Sequence, residues 1–150
     1  MAVASLNLEA PIGRVDTTLT ITNNVDQIRA EANEIDAAAV RSVVLEGVLV
    51  DTGATHLCLP ADVIARLGLR PSREVNIRTA TGTGRVRLFR DALLEVMGRE
   101  DTFSCIELPV GTQPLLGVVP MEVLGLQPNV VTRRLELLPD GPNDTYITVL

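Results

Sequence analysis

Asp51 follows a run, Val43 to Val50, that is almost continuously apolar, and it is followed at once by Thr52-Gly53-Ala54. A carboxylate at the end of a buried strand costs free energy unless hydrogen bonds or a function hold it there. The next residues supply what it needs. Gly53 lets the backbone approach closely, so amide N–H groups can point at the carboxylate oxygens, and Thr52 offers a hydroxyl that can hold the loop. The plain alternative is an aspartate capping an ordinary turn. A second constellation is a thiol with a base: His56, the single histidine, lies two residues before Cys58, which on a strand puts both on one face. No orienting group for the histidine is evident, and a core cysteine beside a loop histidine is the simpler reading. A zinc site from His56, Cys58 and Cys105 lacks the paired ligand spacing such sites use.

Composition removes other chemistries. All 13 basic residues are arginines, so there is no lysine to bind a nucleotide phosphate, form a Schiff base or act as a general base. The net charge is -6 and aromatics are 2% of the chain, which leaves neither the basic face nor the stacking platform of a nucleic-acid binder. Two cysteines are too few for a disulfide scaffold. Met1 to Ala10 carries no basic segment followed by an apolar run, and no apolar stretch is long enough to span a membrane, so a cytoplasmic protein without membrane contact is expected. Asn143-Asp144-Thr145 fits a glycosylation sequon, read as chance in that setting.

The elements that must position Asp51 are short strands. Val15 to Thr22 alternates with period two and contains β-branched residues, and Val43 to Val50 reads as a strand buried on both faces. Between them Asp26 to Val40 carries Ile28, Ala32, Ile35 and Ala39 at helical spacing, an expected helical or irregular excursion. Leu57 to Leu59 is a short strand; Pro60 stands where a helix wants its first residue, and Gly68 at its stop. Arg73 to Thr79 and Arg85 to Leu88 flank Ala80-Thr81-Gly82-Thr83-Gly84 as a hairpin with a glycine-rich tip, and Ala92 to Met97 and Thr102 to Leu108 flank Gly98-Arg99 as another. Arg85 to Arg90 alternates charge with apolar residues, as the solvated face of a strand does. Leu115-Leu116-Gly117 is a short apolar strand, Pro120 to Leu124 a short helix closed by Gly125, and Thr132 to Leu138 a further strand. After a turn cluster, Tyr146 to Leu150 could form a last one. The sum is an all-β, closed, barrel-like domain with one or two short helices.

Three segments together resemble the retroviral-type (retropepsin-like) aspartic peptidases. Leu49-Val50-Asp51-Thr52-Gly53-Ala54 resembles their active-site motif. The hairpin from Thr79 to Leu88 resembles the flap that closes over substrate. Leu115-Leu116-Gly117 before a short helix resembles the segment that crosses behind the catalytic loop. The three occur in the family's order over roughly Gly13 to Leu138, in a pattern closest to the bacterial members.

The resemblance implies a single domain over 1–150, with its core at 13–138 and a C-terminal extension at 139–150. It implies an aspartic endopeptidase acting on peptide or protein substrates, with no metal or cofactor. Asp51 is then catalytic, Thr52, Gly53 and Ala54 support its loop, Thr81, Gly82, Thr83 and Gly84 form the flap over the substrate, and Leu115, Leu116 and Gly117 are structural. Such chemistry needs two carboxylates sharing a proton. The chain has one Asp-Thr-Gly; Asp16-Thr17, Asp101-Thr102 and Asp144-Thr145 are not followed by glycine. The second aspartate is therefore expected from a symmetric homodimer. Two departures stand out. Retroviral enzymes usually carry an acidic residue after Asp-Thr-Gly-Ala and an arginine after the downstream glycine; here Thr55-His56 and Val118 stand there. Their joint absence leaves no unpaired charge, but the dimer must be braced otherwise, and Tyr146 to Leu150 is the expected source of intersubunit strands. The alternative is a non-catalytic dimerisation or peptide-binding module on the same fold.

Overall fold

A computed structural model describes residues 13–139. The strand expected at Tyr146 to Leu150, its intersubunit role, and the Asn143 sequon lie outside them. In chain order the elements are β1 (Asp16–Asn23), α1 (Asn24–Glu31), a 3-10 turn (Ala37–Ala39), β2 (Ser42–Val50), β3 (Leu57–Pro60) and α2 (Ala61–Leu67). Then come β4 (Arg70–Thr79), β5 (Gly82–Val96), β6 (Arg99–Leu108), β7 (Leu115–Leu116), α3 (Val118–Leu124), β8 (Leu126–Asn129) and β9 (Arg134–Leu137). The fold is all-β. Seven strands are ordered β1-β2-β7-β3-β6-β5-β4, and β1 also pairs with β5, which closes six of them into a ring and leaves β4 outside it. The core fills the ring: Leu19, Ile21, Val48, Leu57, Leu59, Leu94 and Leu116 are fully buried there.

Two bulges explain where strand patterns depart from simple alternation. Thr17 pairs with Val48 and Leu19 with Leu45, so β2 carries one extra residue, accommodated by Gly47 at φ +65°. That bulge overturns the expectation that Val43 to Val50 is buried on both faces. Val43, Val48 and Val50 face the core, while Val44 is 62% exposed, because a ring has an outer, solvated side. On β5, Phe89 pairs with Cys105 and Ala92 with Phe103, with Asp91 at φ +66° as the extra residue. The two segments read separately from sequence, Arg85 to Leu88 and Ala92 to Met97, are thus one bent strand serving two hairpins. The second hairpin turns at Met97-Gly98, both at positive φ, and Arg99, expected in the turn, is already in β6.

Other expectations need smaller corrections. The described residues hold three short helices, against the one or two expected. Pro60 ends β3 and caps α2, which starts at Ala61 and ends on Gly68 in the left-handed conformation. β8, which pairs with β9, was not foreseen; Arg99 holds this hairpin by donating to the carbonyls of Leu124, Gly125 and Leu138.

Residues 24–42 are held by polar contacts, not by an apolar helix face. Ile28, at the centre of the expected helical stripe, is 55% exposed. Asp26 is the anchor, at 5% exposure. Its carboxylate accepts from Arg41 Nε (2.8 Å), Arg41 Nη2 (3.0 Å) and the Arg41 backbone N–H (3.1 Å). Asn23 caps α1 by accepting from the Asp26 N–H and donates to the Leu67 carbonyl at the end of α2. The Arg41 guanidinium lies over Gly68, where a side chain would collide with it. Hydrogen bonding from Arg41 holds the Asp26 carboxyl below the usual carboxylate range, against the opposing effect of its burial. A carboxyl with a depressed folded-state pKa contributes stability at pH above its unfolded pKa and loses it as pH falls through the folded one. Asp26→Asn is therefore expected to cost about 1–3 kcal/mol at neutral pH. In urea denaturation, the wild-type advantage should shrink below about pH 4.

Candidate functional site

Asp51 sits, half-buried, where β2 leaves the ring. Its Oδ1 accepts from the Gly53 N–H at 2.9 Å, and the Ala54 N–H closes the turn by donating to the Asp51 carbonyl at 3.1 Å. A Cβ at Gly53 would lie 3.2 Å from Asp51 Oδ1, so glycine keeps this approach open. The hydroxyl of Thr52 has no hydrogen-bond partner among the described residues, and Thr52 is exposed. Within one chain the loop is held by backbone groups, not by the threonine hydroxyl.

Most of that backbone support comes from Leu115 to Val119. β7 lies between β2 and β3, parallel to β2 (Leu49 with Leu115, Val50 with Leu116) and antiparallel to β3 (Cys58 with Leu115). The Asp51 N–H donates to the Leu116 carbonyl (3.0 Å). The N–H groups of Val118 and Val119 donate to the carbonyls of Ala54 (2.8 Å) and Thr55 (3.0 Å). Gly117 lies under the turn: a Cβ there would stand 2.5 Å from the His56 carbonyl oxygen and 2.7 Å from Ala54 O and His56 N. Leu116 is fully buried, and Val118, where retroviral enzymes carry arginine, packs half-buried against the core. The structure thus brings Asp51, Gly53 and Ala54 together with Leu115, Leu116 and Gly117.

The β4–β5 hairpin passes over the same place. A cleft of about 760 Å³ has Asp51, Gly53, Ala54, Thr55 and His56 on its floor. Leu88, Ile106, Leu108 and Leu115 form its apolar wall, and β4 covers it with Arg73, Val75, Ile77 and Thr79. The hairpin tip is tighter than expected. Thr79 pairs with Gly82, leaving Ala80-Thr81 as a two-residue turn, with Thr79 Oγ1 donating to the Gly82 carbonyl. Gly82, Thr83 and Gly84 therefore belong to β5, because glycine at φ +139° lets the strand start directly after the turn. Of the expected flap residues, Thr81 to Gly84 are exposed and do not line this cleft. The residues that do are on β4, which sequence reading missed. Their signal was the alternation Arg73, Val75, Ile77, Thr79, which puts one face of β4 over the cleft; Asn76 and Arg78 border it as well.

The thiol alternative finds little support in this geometry. Cys58 Sγ approaches the backbone carbonyl of His56 (3.6 Å), while the His56 ring pairs with Thr55 Oγ1 (2.7 Å). Burial, with the Asp51 charge adding to it, pushes the Cys58 thiol up to about 11, and burial pushes Cys105 up to about 12. Among the described residues, no group of three His, Cys, Asp or Glu side chains comes together as a metal site would need.

Two outcomes follow. Cys58, protonated at neutral pH, should show no fast iodoacetamide labelling at pH 7 in the folded protein; labelling at the rate of a free thiolate would contradict this placement. Gly117→Ala should destabilise the protein by about 3 kcal/mol or more in urea denaturation, since the facing atoms are backbone and cannot turn aside.

A family model described as gag-polyprotein putative aspartyl protease matches residues 46–122, just over half of the chain. The match begins in β2 ahead of Asp51, takes in the cleft-covering hairpin and ends in α3 after Gly117. No curated protein matches the chain. With that match covering turn, hairpin and crossing segment, the chain belongs to the gag-polyprotein aspartyl protease family.

Proposed function

We propose that this protein is an aspartic endopeptidase, active as a symmetric homodimer, in which Asp51 of each copy supplies half of a catalytic dyad. The observation that carries this reading is the placement of Asp51. A half-buried carboxylate stands on a glycine turn, fixed by backbone hydrogen bonds, at the floor of a mostly apolar cleft covered by a hairpin. The chain has one such turn, so a second copy must bring the other carboxylate.

In this reading the two Asp51 carboxyls share one proton, because like charges a few ångströms apart do not both ionise. The ionised member takes a proton from a water as that water attacks the scissile carbonyl. The protonated member hydrogen-bonds the carbonyl oxygen, and no covalent intermediate forms. Gly53 keeps an N–H on the carboxylate, Ala54 closes the turn, and the exposed Thr52 hydroxyl is free to meet the partner copy. Leu115 to Gly117 fix the turn from behind. The β4–β5 hairpin, with Thr81 to Gly84 at its tip, covers an extended peptide whose apolar side chains pack on Val75, Ile77, Ile106 and Leu108.

Asp51→Asn should lower cleavage of a diverse peptide pool by a factor on the order of 10³ or more, read by mass spectrometry. Circular dichroism and sedimentation should be unchanged. Full activity in that variant would end the proposal; a well-formed dimer in which neither wild type nor variant cleaves any peptide would favour the non-catalytic binding module.

A further inference from the structure

The charge of this chain is unevenly placed. Residues 70–90 contain six arginines and one glutamate, net +5, in a chain of net -6, which leaves -11 for the remainder. This basic segment is the hairpin over the cleft. Three of its arginines have partners: Arg85 pairs with Glu74, Arg87 makes two hydrogen bonds to Glu107, and Arg90 donates to Ser72. Those contacts account for the arginine-rich alternation as a solvated strand face.

Arg73 differs. It lies on the inner face of β4, opposite Leu88, in the alternation that continues through Val75 and Ile77 over the cleft. Like Arg78, it is exposed and makes no hydrogen bond or ion pair among the described residues; unlike Arg78, it points from the inner face. Among the described residues, Asp51 is the only carboxylate in the cleft lining. A guanidinium presents a planar fork of donors that matches a carboxylate bidentately, and the net positive hairpin around it adds a favourable field.

Resting on the peptidase reading of the cleft, we propose that Arg73 is a specificity-determining residue that selects peptide segments carrying an acidic side chain. A glutamate or aspartate of the substrate reaches Arg73 while neighbouring apolar side chains fill the space beside Val75 and Ile77. Arg78, which borders the cleft nearer the tip, reinforces the same preference through its charge. An acidic protein thereby recognises acidic substrate through a basic surface that faces its cleft.

The test uses the full chain and a peptide pool in which glutamate or glutamine occupies each position flanking the cleaved bond. At low salt, wild type should cleave the preferred glutamate peptides about tenfold faster than their glutamine twins, with the ratio falling as salt is added. Arg73→Gln should bring the ratio to about one, and Arg73→Glu should invert it. Arg85→Gln, on the outer face, should leave it unchanged. The same peptides are titrated against the Asp51→Asn protein, which reads binding without turnover. Cleavage by wild type with no glutamate preference overturns the role of Arg73 and leaves the peptidase reading intact. Absence of cleavage with glutamate-selective binding that Arg73→Gln abolishes overturns the peptidase reading and keeps Arg73 as a recognition residue. Neither cleavage nor selective binding overturns both. Equal loss of preference in Arg85→Gln would replace Arg73 by the general field of the hairpin.

Discussion

The structure depends on one interlock: the turn that carries Asp51 and the segment that carries Gly117 hold each other through backbone groups. Three N–H donors cross between them, from Asp51 to Leu116 and from Val118 and Val119 to Ala54 and Thr55. Buried or half-buried peptide groups need partners, and neither segment alone can supply them. Gly117 makes the approach possible by having no side chain where backbone atoms already stand. The consequence is a carboxylate whose position is set by main-chain geometry, which does not change with rotamer. In the proposed dimer, a group that meets its twin at a symmetry axis needs such rigidity.

Around this centre the fold separates rigidity from adaptability. The closed ring buries Leu57, Leu59, Leu94 and Leu116 and fixes the floor. β4 stands outside the ring, paired among the described residues only with β5, and its residues are mostly exposed. An element with one neighbour and little buried area can shift at low cost, which suits a cover over a cleft. The same exposure lets the hairpin carry charge. Arg85 and Arg87 meet Glu74 and Glu107, while the inner face keeps Arg73 unpaired over an otherwise apolar wall. The excursion of residues 24–42 is anchored away from the cleft by Asp26 and Arg41, so its work is structural: it links the end of α2 to the entry of β2.

Much of this was legible in the sequence because the informative residues are constrained by backbone. Asp51 beside Gly53, Leu115-Leu116 before Gly117, and the two hairpins could be read in order, since glycine and strand alternation report backbone needs directly. What was not legible came from tertiary context. The bulges at Gly47 and Asp91 shift which side chains face inward, and no local pattern announces a one-residue insertion opposite a partner strand. The stripe of Ile28, Ala32, Ile35 and Ala39 suggested an apolar helix face, but a buried Asp26–Arg41 pair organises that region instead; pairing partners fifteen residues apart leave no periodic signal. The tip of the hairpin drew attention because it holds glycine, whereas the cleft is lined by β4, whose exposure follows from lying outside the ring.

The central claim is that one active site requires two intact Asp51 side chains. Mixing wild type with the Asp51→Asn protein at fixed total concentration, after exchange of subunits, tests it most directly. If each site needs both carboxylates, peptide cleavage should fall as the square of the wild-type fraction, because every mixed pair is inactive. Cleavage that falls in direct proportion to that fraction would show each copy working alone and would contradict the account.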